Sequence, residues 1–195
     1  VVCDNNRRNG MSVVSAKTLF VDNARMVNTN GTAPQAGVDF EPNSKANILE
    51  NIKFGHDAEG NASDGILFAT QHTEEDVCIN IGSHVSVNDN AGLAFTSGAN
   101  GNVKGGEIVI QKCHVSESTG SGLYIEAWSD NEPSVEICEL SIVKPGDYPI
   151  RLVNSAANVT NMTKFLAGQV LAHTKSSGAW LRVVGNGSSV IKLPI

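Results

Sequence analysis

The sequence predicts an all-β solenoid, one chain wound into stacked coils of parallel strands: a parallel β-helix. Two observations predict it. Gly10, Gly37, Gly65, Gly92 and Gly122 each open a short run of alternating apolar residues, at intervals of 27, 28, 27 and 30 residues. A repeat of that length, made of strand signals with no helical face, reads as a stack of β-coils. No coil can bury its apolar side alone, so the core exists only between neighbours. The composition agrees. Only 17% of residues are charged, and Asn, Ser, Thr and Gly carry the polar surface.

The strands after the glycines come first. Met11/Val13, Val38/Phe40, Ile66/Phe68, Leu93/Phe95 and Leu123/Ile125 hold the first and third places. Period-two alternation sends these pairs inward as columns of like residues. The second and fourth places then face out, among them Asp39/Glu41 and Tyr124/Glu126. Slipping the Val38 strand by one residue would bury Asp39 and Glu41 together, at a prohibitive cost in desolvated charge. Further strands are expected at Thr18–Val21, Asn47–Phe54, Val77–Ile81, Glu107–Ile110 and Val135–Cys138. Asn- and Gly-rich corners separate them, for example Asn28-Thr-Asn-Gly31 and Asn88-Asp-Asn90, because such residues accept left-handed backbone angles. Five coils at about 4.8 Å each span roughly 24 Å.

Tyr148-Pro-Ile-Arg-Leu-Val-Asn154 reads as another coil with its glycine replaced. The pattern changes near Ala156, so residues 1–155 are assigned to the coils. Residues 156–195 are assigned to a C-terminal β-rich cap or the start of a further domain. Within the tail, Gly185-Asn-Gly187 between two apolar runs predicts a hairpin.

The bulk properties exclude several classes. A net charge of −6 argues against nucleic acid, which needs a basic face. Apolar runs of only a few residues argue against membrane insertion. The chain opens Val-Val-Cys without Met or a leader, which implies a start inside a longer polypeptide. Cys3, Cys78, Cys113 and Cys138 lack zinc-ligand spacing and read as buried small hydrophobes. Neither a phosphate loop nor a nucleotide fingerprint is present, so no cofactor and no metal are expected. The five N-x-S/T triplets follow from the Asn-rich composition and carry little weight.

The segment Asn28-Thr-Asn-Gly-Thr-Ala-Pro-Gln-Ala-Gly-Val-Asp-Phe-Glu-Pro-Asn43 resembles a recurring motif of the pectate-lyase-like β-helix superfamily, particularly in bacteriophage tailspikes and capsule depolymerases. The glycine periodicity extends the resemblance over roughly residues 1–155. It implies a right-handed, single-stranded β-helix, a homotrimer on a virion tail or outside the cell, and a bacterial capsule or O-antigen polysaccharide as ligand. It does not fix an activity, because the superfamily holds lyases, hydrolases, epimerases and non-catalytic adhesins.

Asp39 and Glu41 form the sharpest chemical pair. On one face of a strand their Cβ atoms lie about 6.6 Å apart. That separation suits acid/base hydrolysis of a glycosidic bond in the inverting manner. The other reading is structural, with both carboxylates tied to the long preceding loop. Tyr124, Glu126 and Trp128 are expected to alternate outward as a sugar-binding strip, and Arg151 is a further candidate substrate-binding residue. Trp128 alternatively covers a loop or an interface. His56 reads as a base, a ligand or a solvated corner, and Asp64 as a corner hydrogen bond. A lyase would need a basic residue, for which only Arg151 stands outward on a patterned coil, and it is the weaker enzymatic option. The rival to any enzyme is a non-catalytic receptor-binding or structural β-helix, favoured by the shortness of most corners.

Overall fold

The computed structural model describes residues 1–97, 105–128, 132–153, 165–172 and 181–184. The described residues contain fourteen strands and no helix. In chain order they are β1 (Val2–Asp4), β2 (Met11–Val13), β3 (Leu19–Val27), β4 (Val38–Phe40), β5 (Ile52–Glu59), β6 (Ile66–Phe68) and β7 (Val77–Val87). Then follow β8 (Leu93–Thr96), β9 (Gly106–Ser116), β10 (Leu123–Glu126), β11 (Ser134–Val143), β12 (Ile150–Val153), β13 (Phe165–Ala172) and β14 (Leu181–Val184). Odd strands pair in parallel in one seven-stranded sheet and even strands in another. The chain alternates between the two sheets, and the result is a β-solenoid.

The even sheet holds the register that the glycines predict. Met11 pairs with Val38, Val38 with Ile66, Ile66 with Leu93, and Leu93 with Leu123. Phe40, Phe68 and Phe95 stack down the interior, with centroids 5.2 and 4.8 Å apart and interplanar angles of 6° and 10°. All three are fully buried. Each contributes about 1.5–3 kcal/mol by burial, and each ring pair about 0.5–1.5 kcal/mol more. Opposite them, Ile52, Ile79, Ile108 and Val135 form an aliphatic column.

Close coil contact explains the glycines. A Cβ on Gly37 would lie 2.7 Å from the Gly65 carbonyl oxygen, and one on Gly65 would lie 2.7 Å from that of Gly92. At the next position in this column, Gly122 precedes Leu123, which pairs with Ile150, so Pro149 takes the glycine's place.

Among the odd strands, β3, β7, β9 and β11 are longer than expected, at 9 to 11 residues, while β5 has the expected eight but lies further along the chain, at Ile52–Glu59. Each continues past a bend. In β7 the bend shows as two successive exposed residues, Gly82 and Ser83, in an otherwise alternating strand. Each of these strands is followed by a left-handed residue: Asn28, Gly60, Asn88, Glu117 or Lys144. A buried polar ladder comes next. Asn61 Oδ1 accepts from Thr29 N at 3.1 Å, and Asn61 Nδ2 donates to Asp89 Oδ1 at 2.9 Å and to Met26 O at 3.1 Å. These bonds satisfy corner groups that would otherwise be buried without partners.

Two expectations need correction. His56 is no solvated corner. It lies inside, stacked on His84 at 4.6 Å, in the column that continues to Cys113 and Leu140. Cys113 is buried, but Cys78 is exposed and Cys3 and Cys138 are half-buried, all as free thiols. β14 pairs in parallel with β12, and β13 with β11. The expected hairpin partner at 189–193 lies outside the described residues.

Candidate functional site

The outer face of the even sheet carries the candidate residues. The register aligns Ser12, Asp39, Leu67, Ala94, Tyr124 and Arg151 in one outward column. Thr96, Glu126 and Val153 form part of the next. Asp39 on β4 and Tyr124 on β10 are three strands apart, about 14 Å at the inter-strand spacing. The face therefore holds two clusters.

The first is Asp39 with Glu41. Asp39 points away from the core yet is 0% exposed. Side chains from the preceding coil roof it. Asn9 Nδ2 donates to Asp39 Oδ2 at 3.0 Å, and Arg8 Nη2 lies 3.5 Å from Glu41 Oε2. Asp39 Oδ1 receives no bond from any other donor. Its neighbour is the Glu41 carboxyl, and two acceptors can bond only through a proton. Burial first, then the Glu41 charge and that hydrogen bond, push the Asp39 carboxyl up to about 7. Asp39 stands in the outward column as the alternation predicts, but it is enclosed instead of open to solvent.

The second cluster lines a polar cleft of about 330 Å³. One wall comes from the corners that precede successive strands: Asp64 before β6, Asn90 before β8 and Ser121 before β10. The other wall is Thr96, Tyr124 and Arg151. Tyr124 donates its hydroxyl to Glu126 Oε2 at 2.8 Å. The Arg151 guanidinium lies 5.7 Å from the Tyr124 ring centre, and its Nη1 is 3.6 Å from Asp147 Oδ2. Burial pushes the Asp64 carboxyl up to about 6. Burial and then Glu126 raise the Tyr124 phenol, so it stays a donor. The cleft thus offers carboxyl, hydroxyl, amide and guanidinium groups within one small volume.

Tyr124, Glu126 and Arg151 come together on adjacent strands β10 and β12. Trp128 does not join them. β10 ends at Glu126, Ala127 takes a left-handed backbone (φ 54°), and the alternation is broken. Trp128 turns inward, fully buried and edge-on to Phe95 at 5.4 Å, with its Nε1 donating to Pro133 O. It caps the phenylalanine stack and has no face for a sugar.

Sequence reasoning placed Asp64 in a corner hydrogen bond, which Ser63 Oγ supplies at 3.1 Å, but missed the wall that Asp64 forms with Asn90 and Ser121. The available signal was position: Asp64 and Ser121 each stand one residue before a coil-opening glycine, beside the outward second place of the strand. It also missed Glu132, which is fully buried where Thr70 Oγ1 (2.8 Å) and Ser97 Oγ donate to its carboxyl. No periodic signal marks Glu132. Among the described residues, no group of three or more His, Cys, Asp or Glu is arranged to hold a metal. No family model, curated protein or solved structure matches the chain.

Proposed function

We propose that the chain is a polysaccharide-binding β-solenoid of the tailspike kind, engaging bacterial capsule or O-antigen through the outer face of its even sheet. One observation supports this above the others: the Asp64–Tyr124–Arg151 cleft gathers donors and acceptors from four coils, as recognition of many sugar hydroxyls requires. Virion attachment and trimer assembly belong to the same proposal and rest on the motif at residues 28–43. Binding without cleavage is the favoured form, because Asp39 is enclosed and cannot reach a glycosidic oxygen while Arg8 and Asn9 cover it.

Hydrolysis is the second reading. An Asp39 carboxyl held up to about 7 is an acid that keeps its proton near neutral pH, and Glu41 beside it is 30% exposed. It would act once the cover opens. The test is incubation of the protein with purified capsular and O-antigen polysaccharides. Bound polymer, new reducing ends and absorbance of unsaturated uronate are recorded together. Binding that falls about tenfold or more in Tyr124→Ala and Arg151→Ala is expected, with no new ends. Reducing ends that disappear in Asp39→Asn/Glu41→Gln would establish hydrolysis, and absorbance would establish a lyase. No binding to any polymer overturns the proposal.

A further inference from the structure

We infer a second glycan-binding site, a shallow trough on the outer face of the odd sheet where its long strands bend. This inference rests on the polysaccharide reading but concerns a different surface. Two hollows, of about 420 and 280 Å³, meet at Ser83. Together they cross the strands from Phe20 on β3 to Leu171 on β13, five inter-strand steps or roughly 24 Å along the solenoid.

The floor is lowered by the chain itself. Between the pairs Val21–Phe54 and Ala24–His56, β3 spends two residues where β5 spends only Gly55. Between Phe54–Ile81 and His56–His84, β7 likewise spends two, Gly82 and Ser83, against Gly55. β5 is therefore one residue short at the bend, a notch in the wall. Gly55 and Gly82 are not glycines that the fold requires. Neither has a left-handed backbone; a Cβ on Gly82 would meet nothing within 4 Å, and one on Gly55 only the Ser83 carbonyl at 3.9 Å. The contrast with Gly37 and Gly65 is direct. Side chains fit here without strain, and their absence keeps the trough open.

The lining identifies the ligand class. Phe20 is 62% exposed at one end, with Lys53 Nζ 5.6 Å from its ring centre. An aromatic face beside polar groups is the arrangement that stacks on the C–H face of a sugar ring. Asp22 and Lys53 balance each other, as do Lys112 and Glu139, which pair at 3.5 Å. Between Phe20 and Leu171 the apolar stretches of the floor are interrupted by Asn80, Ser83, Lys112 and Glu139, so polar groups for sugar hydroxyls alternate with surface for sugar C–H groups. The strands' backbone groups are already paired in the sheet, so an added β-strand has nothing to bond. A neutral, linear oligosaccharide lying along the solenoid fits all of these features.

The test uses fluorescein-labelled capsular and O-antigen polysaccharides with the wild-type protein and three variants: Gly82→Leu, which fills the floor, Phe20→Ala, which removes the platform, and Tyr124→Ala on the other face. Gly82→Leu should keep the wild-type melting temperature and weaken binding about tenfold, and Phe20→Ala should weaken it similarly. Phe20 is exposed, so that variant reports even if Gly82→Leu misfolds. Wild-type binding lost in Tyr124→Ala and unchanged in both trough variants overturns the second site and leaves the proposed function standing. A wild-type protein that binds no polymer removes both.

Discussion

Asp39→Asn isolates the proton that joins the Asp39–Glu41 pair. The amide matches the carboxyl in size, can donate to Glu41 from Nδ2, and can accept the Asn9 bond on Oδ1. It replaces the protonated acid and cannot ionise. The native carboxyl is raised from 3.8 to about 7. At about 1.4 kcal/mol per pH unit, that gap sets a ceiling of about 4 kcal/mol. Relaxation of the Arg8–Asn9 cover as the carboxyl ionises lets water reach it, so the expected range is about 1–4 kcal/mol. The sign follows from linkage. The folded state holds this proton more tightly than the unfolded chain, so its stabilisation is complete below pH 3.8 and fades as pH rises through about 7. Asn keeps its bonds throughout. The variant should therefore match the wild type near pH 4 and become the more stable protein above pH 8. Urea denaturation at half-unit steps between those limits measures the difference, and subtraction removes the titration of Asp64 and Asp89, common to both proteins. A difference that stays constant with pH refutes the shared proton.

Other outcomes test the interior. Burial holds the His84 imidazole down to about 4 and His56 well below its ordinary value, so the folded state resists protons that the unfolded chain takes up below pH 6.5. His84→Leu, matching Leu140 in the same column, should lose about 1 kcal/mol at neutral pH with its bond to Gly92 O. The same variant should lose less stability than wild type between pH 6.5 and 4, read by denaturant midpoints. Gly65→Ala must push against a carbonyl 2.7 Å away and should cost about 1–3 kcal/mol, whereas Gly82→Ala should be neutral or gain about 0.5 kcal/mol. Thermal melts of the pair decide whether the two glycine classes differ. Asn61→Ala strands Thr29 N and loses the bonds to Asp89 and Met26 O, and should cost about 2–4 kcal/mol in the same assay.

What the sequence revealed depended on what repeats. The inward columns were legible because Val38/Phe40, Ile66/Phe68 and Leu93/Phe95 recur with a fixed glycine, and pairing register follows directly from that interval. The second halves of the odd strands were not legible. In β5 and β7 their inward places hold His56, Ala58, His84 and Ser86, a polar or small set that carries no hydrophobic alternation, and in β3, β9 and β11 the bend shifts the parity of Met26, Val115 and Ile142 away from that of the first half. The site was legible only in part. Tyr124, Glu126 and Arg151 lie on patterned strands, so parity placed them outside. Trp128 escaped because one left-handed residue, Ala127, reverses parity. The enclosure of Asp39 escaped because its cover, Arg8 and Asn9, lies thirty residues away in sequence and one coil away in space.

The constant step between coils makes the molecule a gauge. Excising 27 residues from Ile66 to Gly92 would bring Leu93 into the place of Ile66, with Phe95 on Phe40 and the aromatic stack still in phase. The interior would be almost unaltered, while the Asp39 and Tyr124 clusters would draw nearer by one step of about 4.8 Å. Distance between outer sites is thus adjustable in whole increments, separately from the chemistry of the inside.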